Sequence, residues 1–528
     1  MITKFYEKCD ENELLEAAQI LKDGGLVAIP TETVYGLAAN AYNGDAVTRV
    51  YEAKGRPTDN PMIVHISSID EIHPLVTDFP ESARALADAF WPGPLTMILP
   101  KSDLVPREVA PRLETVAVRM PSHPIARKII ELAGCPLAAP SANSSGSPSP
   151  TTAQHVLHDL DGKINAVVDG GECDVGIEST VITLATNPPR LLRPGGITVE
   201  QLEGVLGHVE VDPAVISELE DGVAPASPGM KYKHYSPKAQ VYIVEGSLES
   251  FKFLVDSDMQ QGDMALCFNG EEADLPIPSL PFGDESDPEA QAHLLFAQLR
   301  SFDEQGAKRV FVRAPSSEGV GLGVYNRLLR AAAFKILTPP VIYGLTGQTG
   351  AGKSTVAKEL EKKGYLIVDG DVAAREVVEK GSPVLENLAK FFGSDILDEN
   401  GELIRSALAK KAFANEENRQ KLNAITHPAV TKWSIDFIKK NFADHKGAVI
   451  DAAAIFDSDI RRYCTKMIVV TAPEDIRLER ILKRDGLTED AAMLRIKAQK
   501  DEQYYKERAD IIIRNYAPYT LADELNLL

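Results

Sequence analysis

The spacing of apolar positions at the start of the chain predicts a helix, and short apolar runs then alternate with helical patterns. The helix follows a capping-box-like pair, Asp10 and Glu13, and ends at Gly24-Gly25. Buried strands are then predicted at 26–29, 62–66, 97–99, 116–118, 167–168 and 181–184, with helices at 82–90 and 125–132. Strands of mixed spacing with helices between them predict an α/β or α+β domain of about 200 residues.

Two breaks divide the rest of the chain. Residues 219–238 are rich in Pro, Gly and polar residues, which predicts a linker or an ordered loop. Thr338-Pro339-Pro340 marks the second break, because two prolines cannot continue the preceding helix. Between the breaks we predict strands at 241–244, 264–268 and 309–313, a helix near 289–302 and an acidic surface loop at 271–289. The overall prediction is an α/β multidomain protein, with domains at 1–210, 239–338 and 339–528 and a linker at 211–238.

Composition narrows the class of protein. The 528 residues are 44% hydrophobic and 25% charged, which suits several globular domains. The net charge of −21 argues against a surface that binds nucleic acid or anionic membrane all over. Five cysteines without a CxxC pair make a disulfide framework or a cysteine-based zinc site a poor interpretation. With no signal-like apolar run at the start, we expect a soluble, cytoplasmic protein with no membrane partner.

A glycine-rich segment follows a new apolar run, 341–345, which predicts a strand, and precedes a predicted helix at 355–362. It fits the GxxxxGK[ST] pattern, in which backbone N–H groups face phosphate oxygens, the lysine reaches the β- and γ-phosphates and the hydroxyl holds Mg²⁺. We therefore predict an ATP site that uses Mg²⁺, with Lys353 on the phosphates and Ser354 on the metal. The predicted ATP-binding residues of this loop are Gly347, Gln348, Thr349, Gly350, Ala351, Gly352, Lys353, Ser354 and Thr355.

Acidic and basic residues after this loop suit phosphoryl transfer. Asp369 and Asp371 end a predicted strand at 366–368, where they could hold Mg²⁺ and take the proton of an acceptor hydroxyl. The alternative is a solvated pair of strand-end aspartates. Predicted helices at 474–486 and 488–505 are rich in Arg and Lys, as a closing lid over transferring phosphate would be, although several of these charges must simply be solvated.

The C-terminal segments GLTGQTGAGKSTVAKEL, VDGDVAAREVV, GELIRSALAKKAF, ITHPAV and LERILKRDGLTEDAAMLRIKAQ resemble the dephospho-CoA kinase family over essentially all of 341–528. The resemblance implies a P-loop fold with a parallel sheet and a helical lid, and transfer of the ATP γ-phosphoryl group to the ribose 3′-hydroxyl of dephospho-CoA. It also implies roles for single residues: Lys353 and Asp371 in catalysis, Arg484 on ATP, and Asp369, Arg405 and His427 on the substrate side. The rival interpretation is another P-loop small-molecule kinase or a regulatory NTPase.

One segment departs from that family. A third predicted strand of this part, 448–450, ends in Asp451. A Pro-Leu-Leu-Phe-Glu-like sequence is common after this strand in the family, whereas this chain reads Ala453-Ala454-Ile455-Phe456-Asp457. Smaller side chains there could loosen the acceptor pocket. The identity of the acceptor is therefore less closely defined than phosphoryl transfer itself.

The N-terminal part lacks such a phosphate loop, but small polar and cationic residues follow its predicted strands. Cations, hydroxyls and a Ser/Gly-rich loop together suit an anionic ligand such as a triphosphate. Taken singly, each has a plainer explanation as a cap, a turn or a surface charge. The residues stand in the segments TETVYG (31–36), KGRP (54–57), Arg119, SANSSG (141–146), Ser179-Thr180 and RPGG (193–196).

The combination resembles the YrdC-like threonylcarbamoyl-AMP synthases across nearly all of residues 10–205. The resemblance lies in PTETVYGLAANA, YEAKGRPTDNPMIVHI, WPGPLTMIL, VAVRMPSHPIAR, PLAAPSANSSGSPSPTTA, VDGGECDVGIESTVI and LLRPGGIT. SPGMKYKHYSP and GLGVYNRLLRAA extend it to the long form of the family, which carries a small Rossmann-like α/β domain after a twisted α/β domain. It implies that L-threonine, bicarbonate and ATP give threonylcarbamoyl-AMP, the precursor of the t6A modification of tRNA. Downstream t6A-transfer proteins and tRNA are then implied as further partners.

This second resemblance also implies residue roles, and one of them has an alternative. His65 on an apolar strand is nearly as well explained as a satisfied core histidine. The segment around Tyr232-Lys233-His234-Tyr235 is expected to fold over the cleft as a lid. The implied threonine-binding residues are Thr33, His65, Arg119 and Ser179; the ATP-binding ones are Arg56, Asn60, Thr115, Ser141, Asn143, Ser149, Arg193 and His234; Lys54 and Arg56 are the catalytic ones.

A rival function of another class is an RNA-binding YrdC-like module that does no chemistry. The net charge of −21 counts against it, as does the complete set of ligand-type residues. We therefore predict a bifunctional enzyme, with a synthase and a kinase in one chain.

Overall fold

The apolar runs of the first 211 residues join one mixed sheet in the computed structural model, which describes residues 2–217 and 235–527. Its strands are β1 (Lys4–Tyr6), β2 (Val27–Ile29), β3 (Gly36–Asn40), β4 (Ile63–His65), β5 (Leu95–Pro100), β6 (Thr115–Arg119), β7 (Leu137–Ala138), β8 (Ala166–Val168), β9 (Thr180–Thr183), β10 (Arg190–Arg193) and β11 (Glu210–Val211). They lie in the order β1-β8-β2-β3-β7-β4-β6-β5-β9-β10-β11. The sheet is mixed, with both parallel and antiparallel strand pairs.

Both faces of this sheet are buried, and successive side chains of each strand point to opposite faces. Val27 and Ile29 of β2 pack in one core with helices α1 (Glu11–Lys22) and α4 (Pro124–Ala133), while Ala28 packs in another core on the opposite face. Asp10 caps α1 by accepting a hydrogen bond from the Glu13 backbone, as predicted. The helices of this region are α1 (Glu11–Lys22), α2 (Gly44–Lys54), α3 (Glu81–Phe90), α4 (Pro124–Ala133), α5 (Ala153–Leu160) and α6 (Val199–Leu206).

A second, parallel sheet follows. Its strands are β12 (Gln240–Val244), β13 (Asp263–Cys267), β14 (Ser279–Pro281), β15 (Arg309–Arg313) and β16 (Ile336–Leu337), in the order β14-β13-β15-β12-β16. Helices α8 (Pro288–Glu304) and α9 (Gly319–Ala331) pack on it, in a core that also takes in Val34 and Ile177. The predicted loop at 271–289 contains β14, because its apolar Leu280 pairs with Leu266 of β13.

The third sheet is also parallel, in the order β18-β19-β17-β20-β21. Its strands are β17 (Ile342–Gly347), β18 (Leu366–Asp369), β19 (Ala448–Asp451), β20 (Lys466–Thr471) and β21 (Ile511–Arg514). Its helices are α10 (Lys353–Lys362), α11 (Gly370–Glu376), α12 (Pro383–Phe392), α13 (Arg405–Ala412), α14 (Glu416–Asn441), α15 (Glu474–Asp485), α16 (Glu489–Lys497), α17 (Glu502–Lys506) and α18 (Leu521–Glu524). The helix predicted at 488–505 is divided in two, because Asp501 caps a new helix by accepting from the Tyr504 backbone.

The described chain falls into two units: Met1–Val244 with Gln260–Leu337, and Glu245–Met259 with Thr338–Leu528. Helix α7 (Leu248–Asp258) thus groups with the C-terminal unit. The reason is packing, since Phe253 is buried beside Ile438 and Tyr463, whose hydroxyl donates to Asp256 Oδ2 at 2.7 Å. This grouping differs from the predicted range 239–338, and the four predicted ranges stay a prediction. The predicted fold class, multidomain α/β with a parallel P-loop domain, is confirmed.

Across residues 2–217 and 235–527, no helix combines the length and the apolar character that a membrane crossing requires.

Candidate active sites

A cleft of about 600 Å³ opens in the first unit, where strand ends and loops of the mixed sheet meet. It contains three arginines, and two of them, Arg119 and Arg193, donate hydrogen bonds to side-chain hydroxyl groups. Its lining is Thr31, Thr33, Val34, Gly36, Arg56, Met62, Ile63, His65, Arg119, Ala139, Pro140, Ser141, Glu178, Ser179, Arg193 and Tyr235.

One wall of the cleft carries Arg119 at the end of β6. Its Nη2 lies 2.8 Å from Glu32 Oε1, and its Nη1 donates to Thr33 Oγ1 at 2.9 Å. Burial alone would raise the pKa of the Glu32 carboxyl, but Arg119 holds it below its ordinary value. The cation is thereby oriented toward the Thr33 hydroxyl, an arrangement that suits a small ligand with a carboxylate group.

The facing wall is built on three adjacent strands, β5, β9 and β10. Arg193 at the end of β10 donates from Nε to Ser179 O at 3.0 Å and from Nη2 to Ser179 Oγ at 3.1 Å. The same hydroxyl lies 2.8 Å from Thr96 Oγ1 of β5. Arginine and hydroxyl groups are thus held together on a sheet, where a phosphate oxygen could accept from both.

A buried lysine holds the loop that follows β7. Lys54 ends α2, and its Nζ donates to Ser141 O and Asn143 O, both at 2.5 Å, and to Asn143 Oδ1 at 3.2 Å. Burial lowers the pKa of Lys54 well below its ordinary value, whereas three oxygen acceptors favour its charged form. Ser141 Oγ donates to Asn143 Oδ1 at 2.6 Å. Lys54 therefore fixes the loop that presents Ser141 to the cleft.

The phosphate loop of the second unit lies between β17 and α10, as predicted. Arg480 of α15 donates to Gly350 O at 3.3 Å and Ala351 O at 3.0 Å, and Asn515 Nδ2 donates to Ala351 O at 3.1 Å. Gly350 has a φ of +80°, and a Cβ there would lie 2.6 Å from Arg477 O. The position therefore needs glycine on both conformational and steric grounds.

Carboxylates from two neighbouring strands lie beside this loop. Asp369 of β18 and Asp451 of β19 are register partners, and Lys353 Nζ pairs with Asp451 Oδ1. Burial raises the pKa of the Asp451 carboxyl, although Lys353 opposes the rise. Asp369 Oδ1 accepts from the backbone of Asp371 at 2.8 Å, which places Asp371 in the first turn of α11. A phosphate cradle, a lysine and strand-end acids are the groups that phosphoryl transfer uses.

Comparisons with known proteins cover both units. The families described as Telomere recombination, Threonylcarbamoyl-AMP synthase, C-terminal domain, and Dephospho-CoA kinase match residues 19–195, 197–333 and 341–520. The threonylcarbamoyl-AMP synthase of Pyrococcus abyssi is 45% identical over 341 residues, which are 64% of this chain and 99% of that one. The chain belongs to the threonylcarbamoyl-AMP synthase family.

The C-terminal unit adds a second membership. The dephospho-CoA kinase of Bacillus licheniformis is 40% identical over 176 residues, which are 33% of this chain and 88% of that protein. This part belongs to the dephospho-CoA kinase family, and the predicted fusion is confirmed. Among solved structures, Pyrococcus abyssi Sua5 complexed with L-threonine is 44% identical, with a TM-score of 0.60 over 64% of this chain and 99% of that one.

The synthase cleft brings together most of the residues predicted for it. Lys54, predicted as catalytic, and Asn60, Thr115, Asn143 and Ser149, predicted for ATP, are not among the described residues of its lining. Ser149 contacts the cleft indirectly, since its Oγ donates to the lining residue Glu178 at Oε1, at 2.5 Å. Thr115 lies at the opposite end of β6 from Arg119. His234 lies outside the described residues, as do Tyr232 and Lys233. The predicted residues in the lining are Thr33, Arg56, His65, Ser141, Ser179, Arg119 and Arg193.

His65 fits both interpretations offered for it. It lines the synthase cleft, yet only 3% of it is exposed and its Nδ1 lies 3.2 Å from Ile63 O. Burial, reinforced by the nearby Arg119 cation, lowers its pKa from 6.5 to about 3. The imidazole is therefore neutral near pH 7, which suits a polar wall of the cleft and excludes a role as a cation.

Sequence reasoning did not single out two carboxylates at the synthase cleft. Glu32 pairs with Arg119 and Glu178 pairs with Arg327. Tyr235, named within the expected lid segment, lines the cleft, and its ring lies 5.2 Å from that of a phenylalanine of the second domain. Glu32 could have been found, since it stands inside the TETVYG motif. Glu178 also precedes a predicted site residue, but nothing local identified its partner.

Three further residues predicted for the kinase unit lie on helices α13, α14 and α15. Arg484 pairs with its neighbour Asp485, at 2.7 and 2.8 Å, on the exposed side of α15. Arg405 is exposed at the start of α13. Half-buried His427 has its pKa lowered by burial, against the opposing charges of Asp457 and Asp459. His427 therefore lies near the segment that departs from the kinase pattern.

Proposed function

We propose that the synthase cleft joins L-threonine, bicarbonate and ATP into threonylcarbamoyl-AMP and pyrophosphate. The observation that carries this proposal is that Arg119 with Thr33 and Arg193 with Ser179 line one cleft. Two anions, a threonine carbamate and a triphosphate, need such paired cations and hydroxyls to approach each other. The solved structure of a 44% identical relative is described as a complex with L-threonine, which supports the assignment.

The chemistry of this cleft needs no protein nucleophile. The threonine amine and bicarbonate form a carbamate and water. A carbamate oxygen then attacks the α-phosphorus, and the bond from that phosphorus to the bridging oxygen of pyrophosphate breaks. Arg56 and Arg193 stabilise charge on the triphosphate, Arg119 orients the amino acid, and Lys54 holds Ser141 in place.

For the C-terminal unit we propose transfer of the γ-phosphoryl group of ATP to the 3′-hydroxyl of dephospho-CoA. Asp371 takes the proton of that hydroxyl, and Asp369, Arg405 and His427 lie on the acceptor side. Lys353, which pairs with Asp451, places its charge on the β- and γ-phosphates of ATP, and Asp451 lies beside it at the end of the neighbouring strand.

Mg²⁺ fits the oxygen donors beside the phosphate loop. Ser354 is the second residue of α10, and Asp369 and Asp451 end adjacent strands. In residues 2–217 and 235–527 there is no group of three or more His, Cys, Asp or Glu side chains that would hold a metal ion. This agrees with a Mg²⁺ ion that is held mainly by substrate phosphates, water and one or two protein oxygens. When bound, the ion would neutralise charge on the phosphates.

The product of the first reaction points to partners that carry out t6A transfer to tRNA. The interpretation as an RNA-binding module without chemistry is not favoured, because both family memberships are those of enzymes. Direct contact with tRNA or with transfer proteins is part of the proposal.

The test is pyrophosphate release by the full chain. We expect release from ATP only when L-threonine and bicarbonate are both present, and phosphorylation of dephospho-CoA in preference to shikimate or nucleoside monophosphates. Lys353→Ala should abolish the kinase reaction and leave pyrophosphate release unchanged. Release without threonine would contradict the synthase assignment. The loss of both activities in Lys353→Ala would contradict the independence of the two sites.

A further inference from the structure

Helix α9 of the second domain sends a buried arginine into the first domain. Arg327 is 0% exposed, and its guanidinium donates from Nε to Glu178 Oε2 and from Nη2 to Glu178 O, both at 2.9 Å. Its Nη1 donates to Pro194 O. One side chain thus ties together Glu178, which precedes Ser179, and Pro194, which follows Arg193.

Helix α8 likewise sends a buried arginine toward the 141–149 loop of the first domain. Arg300 is 8% exposed and donates to the two carboxylate oxygens of Asp159 from its two terminal nitrogens, at 3.1 and 3.0 Å. It also donates to Pro148 O at 2.5 Å. Asp159 in turn accepts from the backbone of Ser144 at 3.0 Å, so Arg300 holds the 141–149 loop at two places.

The contacts of Arg327 and Arg300 both reach the surroundings of Ser149. Its hydroxyl donates to Glu178 Oε1 at 2.5 Å, and Glu178 is the carboxylate that Arg327 holds. Burial alone would raise the pKa of the Glu178 carboxyl, but Arg327 and Arg193 keep it below its ordinary value. Glu178 is therefore a charged junction between the loop, the cleft and the second domain.

The helix approaches the cleft wall too closely for an ordinary side chain at the contact. A Cβ on Gly323, one turn before Arg327, would lie 2.8 Å from Ile177 Cδ1 and 3.3 Å from Gly195 Cα. This approach brings the rigid guanidinium fork within reach of the backbone carbonyl groups. A lysine at the same position could satisfy at most part of these acceptors, because it lacks the planar arrangement of donors.

We propose that Arg327, together with Arg300, is a positioning residue for the synthase reaction. Through these two side chains the second domain sets the geometry of the cleft. Neither arginine is among the described residues that line the cleft, so both act through Glu178, Ser179, Arg193 and the 141–149 loop. This inference rests on the proposed synthase function. A misplacement of reacting groups by about 1 Å can cost about 100-fold in rate, so small shifts of these segments matter.

The test compares Arg327→Met and Arg327→Lys in the full chain with Arg309→Met as a matched control. Arg309 forms a two-point pair with Asp263, at 2.8 and 2.6 Å, and both residues belong to the second domain. We expect kcat of pyrophosphate release to fall about 100-fold in Arg327→Met, with partial rescue in Arg327→Lys and a change below about 3-fold in Arg309→Met. Kinase turnover should stay the same in all three variants.

A second readout works without synthase activity. Hydrogen exchange in the full chain should speed up in peptides covering 178–195 for Arg327→Met and in peptides covering 141–149 for Arg300→Met, and in neither for Arg309→Met. Activity loss that only follows the unfolded fraction, or exchange equal to that of Arg309→Met, would overturn the proposal. If wild type released no pyrophosphate but the exchange pattern appeared, the proposed function would fail and the positioning contacts would stand.

Discussion

The neutral state of buried His65 makes a quantitative prediction about acid stability. Because burial and Arg119 lower its pKa from 6.5 to about 3, folded His65 carries no proton at pH 5, whereas the unfolded chain binds one. Unfolding then takes up a proton, so stability falls as pH decreases from about 6.5 toward 3. This single group should cost about 2 kcal/mol of stability between pH 7 and pH 5.

The sequence offers a local probe for the measurement. The chain has two tryptophans, Trp91 in the synthase unit and Trp433 in the kinase unit. In a Trp433→Phe background, denaturant unfolding followed by fluorescence reports on Trp91, which is 8% exposed. We expect His65→Gln to reduce the loss of stability between pH 7 and pH 5 by about 2 kcal/mol, because its side chain does not titrate.

A core substitution in the same strand supplies the control. Ile63→Val lies two residues away on β4 and removes no titratable group, so its cost of about 1 kcal/mol should be the same at both pH values. If His65→Gln kept the full pH dependence of the parent, the imidazole would titrate normally in the folded chain. The neutral wall of the cleft that we infer from its burial would then be wrong.

Two further predictions concern single side chains. Arg119→Lys keeps a cation but loses the bond to Thr33 Oγ1, so we expect KM for threonine to rise about 10-fold, with KM for ATP changed less, in steady-state pyrophosphate assays. An equal rise in both constants would argue against an amino-acid role for Arg119. Phe253→Ala removes a ring from the core around Ile438 and Tyr463, and should destabilise the kinase unit by about 3–5 kcal/mol in Trp433 fluorescence with Trp91→Phe. An unchanged kinase unit would mean that α7 does not pack there in solution.

Features with local causes could be predicted from the sequence. The phosphate loop, the strand before it and Asp369 at the next strand end follow from glycine spacing and apolar runs, and the structure has them at these positions. Helix α1 with its Asp10 cap is another such case. Lys54 and Ser141 were predicted as site residues from separate motifs, and the structure brings them into contact although they are 87 residues apart.

Features that depend on distant contacts could not be predicted. Arg327 and Glu178 are 149 residues apart, and neither segment carries a pattern that identifies the other as its partner. Helix α7 has an ordinary amphipathic sequence, and only the packing of Phe253 assigns it to the C-terminal unit. The division of the helix predicted at 488–505 could have been predicted from the sequence, because Asp501 is a good capping residue.

The two ATP sites differ in the way that their proposed reactions require. Attack on the α-phosphorus by a carbamate brings two anions together, which requires nearby cations. The synthase cleft supplies side-chain cations that are positioned by the sheet and, through Arg327, by the second domain. Transfer of the γ-phosphoryl group to a neutral hydroxyl needs a base and a cradle, and the kinase unit supplies carboxylates beside a backbone loop. Arginines that hold carboxylates recur in the first unit because burying Glu32 and Glu178 beside a cleft proposed to bind anions is tolerable only when each is paired. The paired carboxylates in turn fix the direction of Arg119 and the position of Ser179, so the ion pairs set the geometry of the cleft as well as its charge.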